Sequence, residues 1–183
     1  MLSRSESLSA GIRTKYNTRS VLHDLVALDD IQRRTDATYP VKDGVQVLNF
    51  SAQIARDVRS KEECGTLLSA YYNNFAKIAQ ADVVIFTLGL IECWFDRERN
   101  SYLNVAPTKK VLAVHGGARF ALHVLDYQDV LSDLREILRR FFDFGVKHVM
   151  LSVSPVPLNA TFRRLDAIEA NAYSKAVQRA AIE

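Results

Sequence analysis

Asp82-Val83-Val84-Ile85-Phe86-Thr87-Leu88-Gly89 is an apolar run that breaks into Leu90-Ile91-Glu92-Cys93-Trp94-Phe95-Asp96. A second run, Lys147-His148-Val149-Met150-Leu151-Ser152-Val153, breaks into Ser154-Pro155-Val156-Pro157-Leu158-Asn159-Ala160-Thr161. Near-continuous apolar runs that end in polar turns are the pattern of parallel strands in a helix-covered sheet. Between them Val130, Leu131, Leu134, Ile137, Leu138 and Phe141 recur at three- and four-residue spacing, one face of a crossover helix that Asp126 opens and Gly145 stops. The fold class is therefore α/β. Ligands in open α/β sheets bind outside the carboxyl ends of the strands, so both turns are expected to open onto one crevice. That places Glu92, Trp94, Ser152 and Ser154 near one another.

Outward from this pair the local signals are uneven. Ser60-Lys61-Glu62-Glu63 is a capping box, and Leu67, Leu68, Tyr71, Tyr72, Phe75 and Ile78 continue it as one apolar helix face. Thr18 is expected to cap a helix over about residues 19–28, with Val21, Leu22, Leu25 and Val26 inward. Tyr39 to Val47 reads as a small hairpin turned by Asp43-Gly44, peripheral and without chemistry. Phe95 to Tyr102 reads as a short polar hairpin, and Val105 to Phe120 as a loop-rich excursion around Gly116-Gly117. Asp166 opens the last helix. No repeat or low-complexity tract divides the chain, so residues 1–183 are read as one domain with residues 1–10 loose.

Composition narrows the function classes. The net charge of +3 comes from 24 Lys+Arg against 21 Asp+Glu, and the basic residues cluster only as dipeptides such as Arg33-Arg34 and Arg139-Arg140. A nucleic-acid stripe needs charge more concentrated than that, so no nucleic-acid partner is expected. No apolar run approaches the ~18 residues of a membrane span, and the first residues lack a secretory apolar core. No membrane partner follows, and a cytoplasmic location is the default expectation. Cys64 and Cys93 form neither a disulfide framework nor a CxxC pattern, and His23, His115, His123 and His148 lack metal-ligand spacing. Gly116-Gly117 has no following GKS, so no phosphate loop is read. No metal or cofactor is expected.

Several residues are weighed for chemistry. Glu92, just past a strand end, either orients a base or holds a substrate hydroxyl, or else accepts backbone amides and pins its own turn. Trp94 is a lid over the crevice or ordinary packing. Cys93 lies between Glu92 and Asp96, which disfavour a thiolate. Asp166 with Glu169 is explained by helix capping, although it has the outline of an Asp-x-x-His pair with Glu in place of His. Asn171, Ser174 and Lys175 share roughly one helical face near the crevice. His115 and His123 lie in loop-rich sequence and are either binding residues or plain loop residues.

Three strings in order then resemble one family. Thr87 to Trp94 (TLGLIECW) resembles the TLGLTEAW string of GSCFA-domain proteins. Ser152 to Thr161 is similar to that family's TVSPVPL-x-AT string, and Ala170 to Arg179 to its AN-x-YSKSVLR segment. Gly11 to Thr18 and Asp126 to Leu134 match more loosely. The resemblance implies an SGNH/GDSL-like hydrolase fold, a three-layer α/β/α sandwich with a mainly parallel central sheet of SGNH/flavodoxin-like type. It implies acyl-ester hydrolysis, on a small-molecule or saccharide acyl ester, by a serine nucleophile without a metal. Gly89 falls where that superfamily's third block serves the oxyanion hole, but Gly89-Leu90-Ile91-Glu92 replaces Gly-x-Asn-Asp, so the Asn donor role does not carry over. The Gly-Ser-Cys-Phe-Ala string that names the family is absent from this sequence. The expectation is thus a chain shortened at both ends and lacking the family nucleophile, with Glu92 as the catalytic candidate. Gly89, Glu92, Trp94, Ser154, Asn171, Ser174 and Lys175 are expected to line the crevice, and the alternative is a non-catalytic saccharide- or protein-binding domain.

Overall fold

The computed structural model describes residues 14–183. The loose segment expected at residues 1–10 and the start of the Gly11 to Thr18 match lie outside the described residues.

The chain enters through α1 (Thr18–Asp29), whose N-cap is Asn17, one residue earlier than the sequence suggested. The Asn17 side chain accepts from Ser20 N–H at 2.8 Å, while the Thr18 hydroxyl donates to Asp133 at 2.5 Å. Thr18 is thus taken by a tertiary partner and Asn17 caps in its place. After a 3₁₀ turn (Ile31–Thr35), β1 (Thr38–Val41) and β2 (Gly44–Val47) form the expected antiparallel hairpin. Gly44 has φ +145°, and a Cβ there would stand 2.4 Å from the Arg59 carbonyl oxygen. The hairpin is not peripheral, however. Tyr39, Val47, Leu48 and Phe50 are fully buried, and the hairpin forms the floor of two core clusters.

A short helix α2 (Ala52–Ala55) leads to α3 (Lys61–Phe75). Its capping box is formed as read, with Glu63 N–H donating to Ser60 Oγ at 3.1 Å and Ser60 N–H to Glu63 Oε2 at 2.8 Å. A 3₁₀ turn (Ala76–Gln80) delivers the chain to β3 (Val83–Leu88). Next come β4 (Glu92–Asp96), β5 (Ser101–Leu103), α4 (Lys109–His115) and β6 (Phe120–Val124). These three strands form an antiparallel sheet in the order β5-β4-β6. Here the structure departs from the sequence reading, which saw residues 90–96 as turn and 105–120 as loop. The β4–β5 hairpin is as expected, but the acidic ends of β4 are sequestered by distant partners. Thr108 caps α4, and Gly116, at φ +76°, ends it.

The crossover helix α5 (Tyr127–Asp143) carries a second reciprocal box, Asp126 with Asp129, and buries Val130, Leu134, Ile137 and Phe141 from the expected stripe. Gly145 leaves it at φ +92°, a left-handed backbone that suits glycine. Strand β7 (His148–Val153) pairs in parallel with β3, Val83 opposite His148 through Leu88 opposite Val153. The chain ends in α6 (Ala167–Ile182), capped by Asp166. Among the described residues β3 and β7 pair only with each other, so the parallel sheet is narrower than the mainly parallel central sheet expected.

Alternation along β3 and β7 sorts their side chains onto two faces. Val84, Phe86, Leu88, Val149 and Leu151 meet residues of α1, α5 and α6 in the core. Val83, Ile85 and Met150 point the other way, with Ile85 66% and Met150 54% exposed. That face is largely uncovered among the described residues, with Thr87 and Ser152 hydrogen-bonded to each other beside the apolar side chains. No described helix is long and apolar enough to cross a membrane.

Candidate functional site

The parallel pair ends in a place where backbone groups converge. Ser154 N–H donates to the Leu88 carbonyl at 2.8 Å, extending the ladder by one bond. Two residues beyond Leu88, Leu90 N–H donates to the Tyr16 carbonyl at 2.5 Å. A Cβ on Gly89 would sit 2.6 Å from that same oxygen, so close approach of the Thr14–Tyr16 segment requires glycine there. From α6 the Lys175 ammonium donates to the Gly89 carbonyl at 3.0 Å. Strand end, incoming segment and last helix thus meet at one glycine.

Around this point lies a cavity of about 720 Å³. Its walls are mostly apolar, with Val84 and Phe86 from β3, Phe75 from the end of α3, Ile78 from the 3₁₀ turn after it, and Phe141 from α5. Gly89, Ser154 and Lys175, three of the residues named from the sequence, line it. Glu92 and Trp94 line a smaller neighbouring cavity of about 270 Å³ instead. The two share Tyr16, Leu90 and Leu158 as a common wall. Asn171 and Ser174 line neither. Asn171 Oδ1 accepts from Leu158 N–H at 3.1 Å and so holds the proline-rich loop, while the Ser174 hydroxyl is buried without a hydrogen-bond partner among the described residues.

Glu92 has both oxygens occupied. Thr161 donates its hydroxyl to one, and Phe162 N–H donates to the other at 3.0 Å. The carboxylate therefore ties the loop after β7 to the start of β4; it does not pin its own turn. Trp94 packs edge-on against Phe162 at 5.2 Å between ring centres, away from the larger cavity. Hydrogen bonds to a charged acceptor contribute about 1.5–3 kcal/mol. Glu92→Ala is expected to lower stability by about that amount and to speed amide hydrogen exchange at Phe162. Unchanged exchange at Phe162 would show that the tie does not hold the loop.

The histidines stand elsewhere. His115 Nε2 meets the Pro40 carbonyl at 2.8 Å, and His123 Nδ1 meets the Tyr102 hydroxyl at 3.0 Å while stacking on Phe95. His23 lies against Asp24 and Asn49. No serine or cysteine hydrogen-bonds a histidine among the described residues. The Ser154 hydroxyl instead accepts from Val156 N–H at 3.2 Å. Burial pushes the thiols of Cys64 and Cys93 up, which disfavours the thiolate a nucleophile needs. No group of three or more His, Cys, Asp or Glu that could hold a metal exists among the described residues.

The sequence reading missed a buried ionic centre beside the cavity. Lys15, 8% exposed, pairs at 2.6 Å with the fully buried Asp24 of α1. Asp24 also accepts from the Tyr71 hydroxyl and the Asn49 amide, and Lys15 donates to the Asn49 carbonyl at 2.6 Å. Burial pushes the Lys15 amine down, against the pull of Asp24. Burial pushes the Asp24 carboxyl up, but Lys15 and His23 together hold it below the ordinary carboxylate value. Lys15 and Tyr71 both line the larger cavity. The available signal was Asp24 itself, an acid on the helix face marked by Val21 and Leu25.

The family model described as GSCFA family matches residues 3–183. This chain belongs to the GSCFA family. No curated protein and no solved structure matches it. The three strings that suggested the family now have places in this GSCFA chain. The first covers the end of β3 and the start of β4, the second the exit of β7, and the third the body of α6. Each string contributes to the wall of the 720 Å³ cavity, Gly89 from the first, Ser154 from the second and Lys175 from the third among them.

Proposed function

We propose that this GSCFA chain is an acyl-binding α/β domain of SGNH-type hydrolase ancestry, with the acyl part of a small-molecule or saccharide ester held in the 720 Å³ cavity. The observation that carries the reading is the cavity itself. Drug-sized ligands occupy pockets of about 300–1,000 Å³ lined mainly by apolar groups with a few polar ones. Here the apolar wall is built by Val84, Phe86, Phe75, Ile78 and Phe141, and the polar groups Ser154, Asn159 and Lys175 gather by the strand ends. An acyl chain suits that wall better than a bare sugar, whose hydroxyls would lose water without gaining partners. The three-layer sandwich and the esterase activity of the lineage are parts of this proposal, resting on the resemblance of the three strings.

Binding without turnover is favoured for the described residues by one specific observation. Ester hydrolysis by a serine needs a base within hydrogen-bond reach of the hydroxyl. None of the described serines has a histidine partner, and the Ser154 hydroxyl is engaged with Val156. The test is a series of p-nitrophenyl esters from acetate to dodecanoate, each assayed for hydrolysis and, as the uncleaved alkyl ether, for binding. Affinity rising with chain length and no release of nitrophenol is the expected result. Release of nitrophenol would return the chain to the hydrolases, and no binding at any length would remove the acyl cavity.

A further inference from the structure

Among the described residues, the cavity wall carries the ammonium groups of Lys15 and Lys175 and no carboxylate. Lys15 is neutralised by Asp24 at 2.6 Å. Lys175 is not: no aspartate or glutamate ion-pairs with it among the described residues, and none lines the cavity. Its recorded contact is the Gly89 carbonyl at 3.0 Å. An ammonium has three donors, so two N–H groups of Lys175 remain without a described partner beside an apolar chamber. Desolvation lowers its amine from the ordinary value, the mark of a charge with nothing opposite to stabilise it. A half-buried cation is an expensive group to leave unmatched next to Val84, Phe86 and Phe141.

We propose that Lys175 anchors an anionic head group, and that the cavity's ligand is an amphiphilic monoanion, a medium-chain alkyl carboxylate. This rests on the reading of the cavity as an acyl site and specifies its ligand's charge. The head sits at the ends of β3 and β7, on Lys175. The chain runs back along Phe86 and Val84 toward Phe75, Ile78 and Phe141, where no polar group is lost from water. Charge complementarity selects the free acid over the neutral ester and rejects an alkyl cation outright. No other residue of the wall competes for this role, because the Lys15 ammonium already serves Asp24 and the Asn49 carbonyl.

The experiment is calorimetric titration of the whole chain with dodecanoate, dodecanol and dodecyltrimethylammonium, each kept below its micelle concentration. Charge-assisted hydrogen bonds exceed neutral ones by an amount that corresponds to about 10- to 100-fold in affinity. Dodecanoate is expected to bind tighter than dodecanol by that factor, and the ammonium amphiphile weakest. Lys175→Met is expected to abolish the preference for dodecanoate over dodecanol, and Lys175→Arg to retain it. Equal affinity for dodecanoate and dodecanol in the natural chain overturns the inference and leaves the acyl cavity standing. If dodecanol and dodecanoate both fail to bind, the acyl cavity falls and the inference with it. Should Lys175→Met not fold, the natural chain and Lys175→Arg decide the matter by the same comparison.

Discussion

Asp24→Ala is expected to cost about 3–5 kcal/mol, enough to unfold a large fraction of a domain whose total stability is about 5–15 kcal/mol. The reason is not the strength of the Lys15–Asp24 pair but what remains when half of it is removed. Among the described residues Lys15 would keep the Asn49 carbonyl at 2.6 Å and the face of the Tyr71 ring, with no carboxylate opposite its charge, and the Asn49 amide would lose its charged acceptor. Lys15→Met is expected to cost less, because Asp24 would still accept from Tyr71 and Asn49. Urea unfolding with an unchanged denaturant slope measures both. Equal losses for the two substitutions would mean that the donors around Asp24 do not compensate its charge.

Asp96→Ala is expected to be nearly as damaging, about 3–5 kcal/mol, for the same physical reason in another part of the molecule. The fully buried carboxylate receives Arg119 in a fork, Nε at 2.9 Å and Nη2 at 2.7 Å. Tyr39 O–H donates to it at 2.6 Å and Glu98 N–H at 3.0 Å. It therefore joins the β1–β2 hairpin, β4 and the turn before β6. Burial pushes the Asp96 carboxyl up, but the hydrogen bonds from Arg119, Tyr39 and the Arg99 N–H more than reverse this, leaving it below the ordinary carboxylate value. A carboxylate whose folded value lies below its unfolded one stabilises above the unfolded value, near 3.9, and loses that contribution as pH falls through the folded value. The natural chain is thus expected to lose melting temperature steeply as the pH drops below about 4. Asp96→Asn should start from a lower melting temperature and show a flatter acid limb. Parallel acid limbs in the two proteins would assign the acid sensitivity to other carboxylates.

What was legible in the sequence was what depends on neighbours along the chain. The parallel pairing of β3 and β7 follows from two apolar runs and the helix between them, and α5 buries the stripe its spacing foretold. The box at Ser60, the helix start at Asp126 and the turn at Gly44 are set within four residues, so they too were readable. The misreadings have one cause in common. Glu92 and Asp96 made a strand look like a turn, because acids seem to belong in water until Thr161 and Arg119 are brought to them from far along the chain. Thr18 and Asn17 are equally good caps locally, and only Asp133 decides between them. Of the residues named for the site, Gly89, Ser154 and Lys175 come to one cavity because each lies at a strand end or on the helix facing it. The Phe75, Ile78 and Phe141 wall was hidden, since helix positions that line a cavity have the same spacing as positions that fill a core.

Both cysteines of the chain are buried, Cys64 with Val47, Phe50 and Tyr72, and Cys93 with Leu88, Ile91 and Val130 behind the strand ends. With their thiols pushed up and shielded, a maleimide finds almost nothing to alkylate in the closed molecule. Labelling must then wait for a fluctuation that exposes one sulfur or the other, and the two rates clock separate openings, one under the β1–β2 hairpin and one behind the strand ends. The protein comes equipped with a pair of internal chemical timers, each keeping the time of its own part of the core.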